Sequence, residues 1–180
     1  EREIPLDDGI AKIYVKDSRA ALARIANEFY GRPAEKLRCV GITGTNGKTT
    51  ISYLMDSIVS AAGHKAGLIG TINYRIGERI IPATNTTPGP VELYNFMSKM
   101  LQNSIDHLVM EVSSHSLDQR RVEGIGFAAA IFTNLTGDHL DYHKTMEGYF
   151  EAKAKLFEGL DSGSYGIINI DDEWGKKLLR

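Results

Sequence analysis

Residues 38–50 of the chain read Arg38-Cys39-Val40-Gly41-Ile42-Thr43-Gly44-Thr45-Asn46-Gly47-Lys48-Thr49-Thr50. A short apolar run is followed by a glycine-rich loop, and the residues after the loop have helical periodicity. Because glycine lacks a Cβ atom, successive backbone N–H groups can turn inward around a phosphate, and the N-terminus of a following helix adds partial positive charge. A strand, a glycine loop and a helix in this order predict a phosphate-binding loop in an α/β protein.

This loop contains the residues expected to hold ATP. Lys48 can reach the β- and γ-phosphates, and Thr49 carries a hydroxyl suited to Mg²⁺, as in a Walker A loop. The strict Walker spacing requires glycine at position 42, where this chain has Ile42. Glycines at 41, 44 and 47 nevertheless favour triphosphate binding over an incidental glycine turn, because the strand and the helix are correctly placed. The candidate nucleotide-binding residues are Gly44, Thr45, Asn46, Gly47, Lys48, Thr49 and Thr50.

Strand-like and helix-like stretches alternate on both sides of the loop. The segment 73–82 is typical of a hairpin that turns at Gly77-Glu78. The alternation predicts an α/β fold with a mostly parallel sheet and helices on both faces. The other predicted strands are 66–72, 107–112, 128–133 and 166–170, and the predicted helices are 48–62, 90–101, 145–158 and 171–180.

The composition narrows the class of protein. With 42% apolar and 24% charged residues among 180, the chain is an ordinary globular sequence with room for one domain, or one domain and a piece of another. Its net charge of −2 provides no global basic field for nucleic acid or an anionic membrane. The longest apolar run, 127–132, is far shorter than the roughly 20 residues that span a bilayer. The single Cys39 cannot form an internal disulfide, which favours the reducing cytoplasm.

The segment before the loop forms a separate predicted unit. Residues 10–15 predict a short strand, and Asp17 predicts the cap of a helix that ends near Gly31. The charged pair Glu35-Lys36 is typical of a linker, so we place a domain boundary near Leu37. Five apolar residues share one face of the predicted helix: Ala21, Leu22, Ile25, Ala26 and Phe29.

Four stretches of the sequence carry a family resemblance. They are Thr43 to Thr50, Asn85-Thr86-Thr87-Pro88-Gly89, Met110-Glu111-Val112-Ser113-Ser114-His115-Ser116-Leu117, and Thr133-Asn134-Leu135 through Asp138-His139-Leu140-Asp141-Tyr142-His143 to Ala152-Lys153. With these motifs in this order and spacing, the chain resembles the Mur ligase family, and most closely its UDP-N-acetylmuramoyl-tripeptide synthetases. The resemblance covers nearly the whole chain. The residues by themselves lead no further than a P-loop ATPase.

The resemblance implies a three-domain protein with a P-loop NTPase-like central domain. On this basis, residues 1–37 are the end of a UDP-binding N-terminal domain with its linker, and residues 38–180 are the ATP-binding central domain, incomplete at its C-terminal end. The C-terminal domain that brings the amino acid is expected to be absent. We therefore expect this chain alone to make no product. We expect the protein to be a cytoplasmic monomer.

The reaction that the resemblance implies joins the third residue, meso-diaminopimelate or L-lysine, to UDP-MurNAc-L-Ala-D-Glu in peptidoglycan synthesis. ATP activates the carboxylate as an acyl phosphate, and the amine of the amino acid then displaces phosphate. Positioning and neutralisation of charge are the protein's main tasks in such a phosphoryl transfer. Two alternatives remain: a folylpolyglutamate synthetase-like ligase, and a non-catalytic P-loop nucleotide-binding module. The choice between the two amino acids cannot be read from these residues.

Glu111 and His139 are the candidate magnesium ligands besides Thr49. Glu111 ends the predicted strand 107–112, where open parallel sheets place their ligand crevice. A carboxylate there could instead cap a helix, although Ser113 and Ser114 would serve that role better. The resemblance implies that both Glu111 and His139 bind Mg²⁺. Histidine is a softer ligand than Mg²⁺ usually accepts, so the residues alone do not suggest it.

Lys153 is predicted to point into the protein. Burial would lower its pKa and leave a neutral amine that can take up carbon dioxide as a carbamate, whereas a snorkelling lysine is the alternative. The resemblance implies this carbamate, as an anion that helps to hold magnesium. Lys155 lies about 200° further round the helix and is predicted to face solvent. The predicted helical neighbours of Lys153 are Tyr149, Phe150, Leu156 and Phe157.

A group of polar residues is the candidate substrate site. The stretch before Pro90 can present N–H and hydroxyl donors to an anion at a helix start, although an ordinary helix start is the alternative. Arg121 could pair bidentately with a carboxylate or pyrophosphate, whereas Arg120 is ranked below it on the family match alone. The resemblance implies contacts to the UDP-sugar peptide from this group, which comprises Asn85, Thr86, Thr87, Ser113, Gln119 and Arg121.

Overall fold

The computed structural model describes residues 9–180, so the first eight residues of the predicted N-terminal segment lie outside the described residues. The helices are α1 (Ser18–Phe29), α2 (Lys48–Ala61), α3 (Pro90–Gln102), α4 (Ser114–Asp118), α5 (Leu140–His143), α6 (Met146–Glu158) and α7 (Glu173–Leu178). The strands are β1 (Arg38–Thr43), β2 (Ala66–Ile69), β3 (Asn73–Ile76), β4 (Arg79–Pro82), β5 (His107–Glu111), β6 (Phe127–Phe132) and β7 (Tyr165–Ile168). A 3₁₀ turn covers Pro33–Glu35.

The described strands form one seven-stranded sheet in the order β4-β3-β2-β5-β1-β6-β7. Five neighbouring strands are parallel to one another: β2, β5, β1, β6 and β7. The β3–β4 hairpin adds two antiparallel strands beside β2. The hairpin turns at Gly77-Glu78, where Gly77 has a φ of 60° that favours glycine. The predicted α/β fold with a mostly parallel sheet is therefore confirmed.

Helices cover both faces of the sheet because neighbouring strand residues point to opposite sides. On one face, Ile51 and Met55 of α2 pack against a cluster that includes Val40, Ile42 and Val109. On the other face, α3 contributes to a larger core. That core includes Leu93, Met97 and Met100 of α3, Leu156 of α6, and Cys39, Leu108 and Met110 of the sheet.

The carboxyl ends of the parallel strands lie together at one end of the sheet, which is called an edge below in this sense. Ile42 of β1 is opposite Glu111 of β5, so the loop after β1 starts beside the end of β5. The segments that follow β2 and β6 leave from the same edge. Ligand crevices of open α/β sheets lie at this edge, and the predicted site residues are concentrated there.

The N-terminal segment differs from its prediction in two ways. Residues 10–15 form no strand, because no described strand pairs with them. Asp17 does cap α1, because its side chain accepts hydrogen bonds from the amides of Arg19 and Ala20. The buried residues of α1 are Ala23 and Ala26, however, and three apolar residues of the predicted buried face are exposed: Leu22, Ile25 and Phe29.

Within residues 9–180, no helix has both the length and the apolar character needed to cross a membrane.

Candidate nucleotide and magnesium site

The glycine loop after β1 has the backbone conformation that its sequence predicts. Gly44 has a φ of 139° and Gly47 a φ of 85°, both in the region that favours glycine. A Cβ atom on Gly44 would lie 1.9 Å from Oγ1 of Thr133, so no larger residue fits without movement of the neighbouring chain. Gly47 is the N-cap residue of α2. Because glycine has no side chain, the first amides of the helix receive no hydrogen bond from a capping side chain. These amides are therefore available to an anion.

The segment after β6 holds the loop from the side. The amide of Thr45 donates to the Asn134 carbonyl at 2.9 Å, and the amide of Asn46 donates to Oδ1 of Asn134 at 3.0 Å. Oγ1 of Thr133 donates to the Asn46 carbonyl at 2.7 Å. Two of the amides before Lys48, those of Thr45 and Asn46, therefore have protein partners in this structure. That the amides of this loop surround a phosphate stays a prediction.

Lys48 folds over its own loop. Its Nζ donates to the carbonyls of Gly44 at 3.0 Å and Thr45 at 2.8 Å. Burial lowers the pKa of Lys48, while the carboxylates of Glu111 and Asp138 act in the opposite direction. The ammonium group thus lies over its own loop, within electrostatic range of two carboxylates.

Glu111 is completely buried at the end of β5. Both of its carboxylate oxygens are bound by Thr71, whose amide donates to Oε1 at 3.1 Å and whose hydroxyl donates to Oε2 at 2.8 Å. Gly70 lies directly before Thr71, and a Cβ atom at position 70 would lie 2.5 Å from Oε1 of Glu111. A larger residue at position 70 would therefore displace the Glu111 carboxylate. Glu111 is therefore fixed in place by the segment after β2, and Thr71 is a positioning residue that the sequence analysis missed.

We expect Thr71→Val to weaken magnesium binding in the full-length protein. The substitution keeps the shape and the backbone amide but removes the hydroxyl that orients Glu111. Groups that orient a metal ligand are typically worth about 10–100-fold in affinity, so the Mg²⁺ concentration for half-maximal ATP turnover should rise at least about tenfold. Thr71→Ser retains the hydroxyl and should restore the original requirement. An unchanged magnesium requirement in Thr71→Val would contradict this role.

Lys153 is buried in α6, with only 2% of its surface exposed. Its Nζ donates to the Gly44 carbonyl at 2.9 Å and lies 4.5 Å from the centre of the Tyr149 ring. Burial is the main cause that lowers the pKa of Lys153 to about 7, and the charge of Lys48 adds to it. Lys155 is exposed and pairs with Asp118 at 3.0 Å. Both orientations agree with the helical positions in the sequence.

His139 lies on the rim of the site, at the residue before α5. Its φ is 52° and its side chain is about half exposed, with Nε2 3.5 Å from Oδ2 of Asp138. Its ring lies 6.0 Å from that of Tyr149, which places it on the Lys153 side of the loop. Within residues 9–180, no hydrogen bond or ion pair joins His139 to Glu111 or Thr49.

Two further histidines, which the sequence did not single out, lie in the same region as His139. The His115 ring lies 5.0 Å from His139 and 5.4 Å from His143, and Nε2 of His143 is 2.9 Å from Oγ of Ser114. Burial is the main cause that lowers the pKa of His115 and of His143, and a neighbouring imidazole adds to the lowering in each case. Both shifts favour the neutral form of the imidazole. Their presence within two of the motif stretches was the available signal.

The candidate substrate residues form a connected wall beside Glu111. The buried Thr87 hydroxyl donates to the Glu111 carbonyl at 2.8 Å and accepts from the Ser113 amide at 3.1 Å. Arg121 donates to the Thr87 carbonyl at 2.8 Å and twice to Oε1 of Gln119, at 3.0 and 2.7 Å. These four residues are therefore brought together.

The other candidate substrate residues lie next to this wall. Oγ1 of Thr86 is 3.1 Å from Oγ1 of Thr71, which connects it to the group that holds Glu111. Asn85 is exposed, and its backbone exchanges hydrogen bonds with the Tyr74 hydroxyl. Arg120 instead faces α1, where its Nε lies 3.2 Å from Oδ2 of Asp17. The structure thus separates the two arginines, with Arg121 beside the crevice and Arg120 away from it.

The site has the chemistry to hold a phosphorylated ligand with a divalent cation. Among the described residues, the first amides of α2 have no side-chain cap, and the buried hydroxyl of Thr43 has no hydrogen-bond partner. The charge of the buried Glu111 opposes the lowering of the Lys48 pKa. Phosphates suit the amides and the ammonium, and Mg²⁺ suits the hydroxyl and carboxylate oxygens. A parallel sheet with such a loop at its carboxyl edge defines a P-loop type of nucleotide-binding domain.

Comparison with known proteins identifies the family. The family described as "Mur ligase middle domain" matches residues 42–180, and the chain belongs to this family. The chain is 49% identical over 178 residues to the UDP-N-acetylmuramoyl-L-alanyl-D-glutamate--2,6-diaminopimelate ligase of Aquifex aeolicus (strain VF5), covering 99% of this chain and 37% of that protein. It is 48% identical over 184 residues to the Bacillus cereus protein of the same name, covering 99% and 38%. The chain thus spans just over a third of the length of these curated relatives.

Solved structures agree with this assignment. A structure of a UDP-N-acetylmuramoyl-L-alanyl-D-glutamate--2,6-diaminopimelate ligase matches 97% of this chain and 36% of its own, with a TM-score of 0.79 and 31% identity. A folylpolyglutamate synthase of Mycobacterium tuberculosis, complexed with ADP and AMPPCP, matches 89% of this chain and 43% of its own, with a TM-score of 0.67. At 18% identity, that second similarity shows the fold alone.

Proposed function

We propose that the chain is the ATP-binding part of a ligase that joins an amino acid to UDP-MurNAc-L-Ala-D-Glu in peptidoglycan synthesis. The relatives named above carry this dipeptide and 2,6-diaminopimelate in their names, which favours diaminopimelate over L-lysine as the added residue. The observation that carries the proposal is the glycine loop at the uncapped N-terminus of α2, with Nζ of Lys48 bonded over it and the buried Glu111 at the end of the adjacent strand β5. The complete protein is proposed to act as a cytoplasmic monomer.

The domain division remains part of this proposal. Residues 38–180 belong to the central ATP-binding domain, and residues 1–37 belong to the end of a UDP-binding domain and its linker. The family match that starts at residue 42 supports the boundary. So does the exposed apolar surface of α1, formed by Leu22, Ile25 and Phe29, because such surfaces mark contacts with other parts of a protein. The amino-acid-binding domain belongs to the part of the ligase outside this chain.

The chain's own residues have defined tasks in this reaction. A carboxylate resists attack by an amine at neutral pH, so the substrate carboxylate is first phosphorylated by ATP, and the amine displaces phosphate from the acyl phosphate. The first amides of α2 hold the phosphates, and Lys48 neutralises the charge that develops during transfer. Thr49 and Glu111 would hold Mg²⁺, which supplies charge neutralisation and orients the phosphates when bound. Thr71 keeps the Glu111 carboxylate aimed at that position.

The wall formed by Thr87, Ser113, Gln119 and Arg121 is proposed to face the UDP-sugar peptide, with Asn85 and Thr86 at its side. The guanidinium of Arg121 is already aligned by Gln119 and the Thr87 carbonyl. A pre-aligned guanidinium can bind a carboxylate or phosphate without further ordering of its side chain. Because the Thr87 hydroxyl also bonds the Glu111 backbone, the wall lies directly beside the proposed metal ligand.

We further propose that Lys153 carries a carbamate that helps His139 and Glu111 to place magnesium. Its neutral amine attacks the carbon of carbon dioxide, an N–C bond forms, one C=O π pair moves onto oxygen, and a proton leaves the nitrogen for water. The lowered pKa supports this step, because the neutral amine predominates above about 7. In the carbamate, the lysine ammonium no longer exists, so its hydrogen bond to the Gly44 carbonyl would be lost or rearranged.

We expect the carbamate to be detected by ¹³C NMR of the full-length protein in ¹³C-labelled bicarbonate. The signal should grow as the pH rises through about 7, since Lys153 loses its proton there. Lys153→Ala should lose the signal, whereas the matched variant Lys155→Ala, in the same helix but exposed, should keep it. A signal that is absent from the wild-type protein, or that survives in Lys153→Ala, would contradict the proposal.

The proposed function is tested by magnesium-dependent phosphate release from the full-length protein. Release should depend on UDP-MurNAc-L-Ala-D-Glu together with diaminopimelate, and should not respond to a folate with glutamate. Release that responds to the folate pair would favour the folylpolyglutamate synthetase alternative. Nucleotide binding without release under any substrate would favour the non-catalytic module.

A further inference from the structure

A second cluster of chemically active side chains lies at the opposite edge of the sheet from the phosphate loop. His64 precedes β2, and Asp106 and His107 lie at the start of β5. Nδ1 of His64 is 2.9 Å from Oδ2 of Asp106, and Nδ1 of His107 is 2.8 Å from Oδ1 of the same carboxylate. The two imidazole rings are 4.5 Å apart. One ligand atom from each residue lies within 4.8 Å of the other two.

The backbone around this cluster is itself tied together. The Lys65 amide donates to Oδ1 of Asp106 at 3.1 Å, and the Lys65 carbonyl accepts from the amides of Asp106 at 3.2 Å and His107 at 3.1 Å. The Asp106 carbonyl accepts from the Arg38 amide at 2.9 Å. The segments that carry the two histidines are therefore held side by side before any ligand binds.

We propose that His64, Asp106 and His107 form a Zn²⁺ site that is separate from the magnesium site. Two imidazole nitrogens and a carboxylate oxygen are a usual donor set for zinc, and a water molecule would complete a tetrahedron. The ligand atoms already converge, so an ion can replace the two hydrogen bonds within the cluster with small side-chain movements. His64 and Asp106 are about half exposed, which gives the ion access from solvent.

The geometry also explains why this site would not compete with the reaction. β1 has six residues and connects one edge of the sheet to the other, so the cluster is about 20 Å from the phosphate loop. Mg²⁺ prefers oxygen ligands and is not expected to bind two imidazoles. A zinc ion would instead join the turn between α2 and β2 to the start of β5, and so stabilise the sheet at this edge.

The proposal is tested by adding Zn²⁺ to the full-length protein and following the imidazole ¹⁵N signals by NMR, with the affinity measured by competition with a chelator. We expect the His64 and His107 signals to shift at one equivalent. Loss of a group that only orients a ligand typically costs about 10–100-fold in metal affinity, so loss of a ligand in His64→Gln should cost at least about tenfold. Asp106→Asn should act in the same direction.

The matched control is Lys65→Gln, which alters an exposed neighbouring side chain but no ligand, and it should bind zinc as the wild-type protein does. Zinc that binds instead to the histidines near the phosphate loop would move their signals and not those of His64 and His107, so the site-resolved signals distinguish the two outcomes. Unmoved signals of His64 and His107, or equal zinc affinity in His64→Gln, would overturn the proposal and leave a hydrogen-bonded cluster only. Because His64 is exposed, its substitution should leave the fold intact.

Discussion

Lys48→Ala in the full-length protein should reduce magnesium-dependent ATP turnover by at least about a hundredfold, the usual effect of removing one group that stabilises a developing charge. Among the residues that the structure describes, Nζ of Lys48 bonds only to carbonyls of its own loop, so its removal should leave the fold intact. The loss should therefore appear in turnover while the thermal unfolding temperature stays close to that of the wild-type protein.

The matched control for this prediction is Lys65→Ala, which removes an exposed lysine at the other edge of the sheet. It should retain wild-type turnover, which would show that the effect of Lys48→Ala does not come from a change in net charge. Normal phosphate release by Lys48→Ala would remove this lysine from the mechanism.

Glu111→Gln should have a comparable effect on turnover and should also raise the magnesium requirement. The amide has nearly the shape of the carboxylate, and Thr71 can still bond to it, but the negative charge that would hold Mg²⁺ is lost. Because the Glu111 charge opposes the lowering of the Lys48 pKa, that pKa should fall further in the variant. Turnover should therefore decline more on the alkaline side of the pH profile than it does in the wild-type protein.

Measurement of phosphate release against magnesium concentration and pH checks this prediction. Glu92→Gln provides the control, since Glu92 is an exposed carboxylate in the first turn of α3. We expect Glu92→Gln to follow the wild-type curves. A Glu111→Gln variant with the wild-type magnesium requirement would show that Glu111 has only a structural role at the end of β5.

The parts of the molecule that were predictable from sequence are those made by residues close together in the chain. The loop, the turn at Gly77-Glu78 and the orientation of Lys153 each depend on local spacing or helical periodicity. The position of Glu111 beside the loop followed from the rule that ligand crevices lie at the carboxyl ends of parallel strands. These signals were enough for the fold class and for most of the candidate site.

The parts that were missed depend on contacts between distant residues. The Asn134 side chain accepts a hydrogen bond from the Asn46 amide, although 88 positions in the sequence separate the two residues. Thr71 donates to Glu111 across 40 positions. Polar residues in loops give no periodic pattern that would reveal such pairs. The prediction of a strand at 10–15 was wrong for a related reason, because a strand requires a partner and none of the described strands pairs with it.

A crystal structure of the full-length protein with Mg²⁺ and a non-hydrolysable ATP analogue tests the central claim most directly. We expect the terminal phosphates against the amides that begin at Gly47, Nζ of Lys48 moved from the Gly44 carbonyl onto a phosphate, and the metal between Thr49 and Glu111. A nucleotide bound away from α2, or a metal that touches neither of these two side chains, would contradict the account.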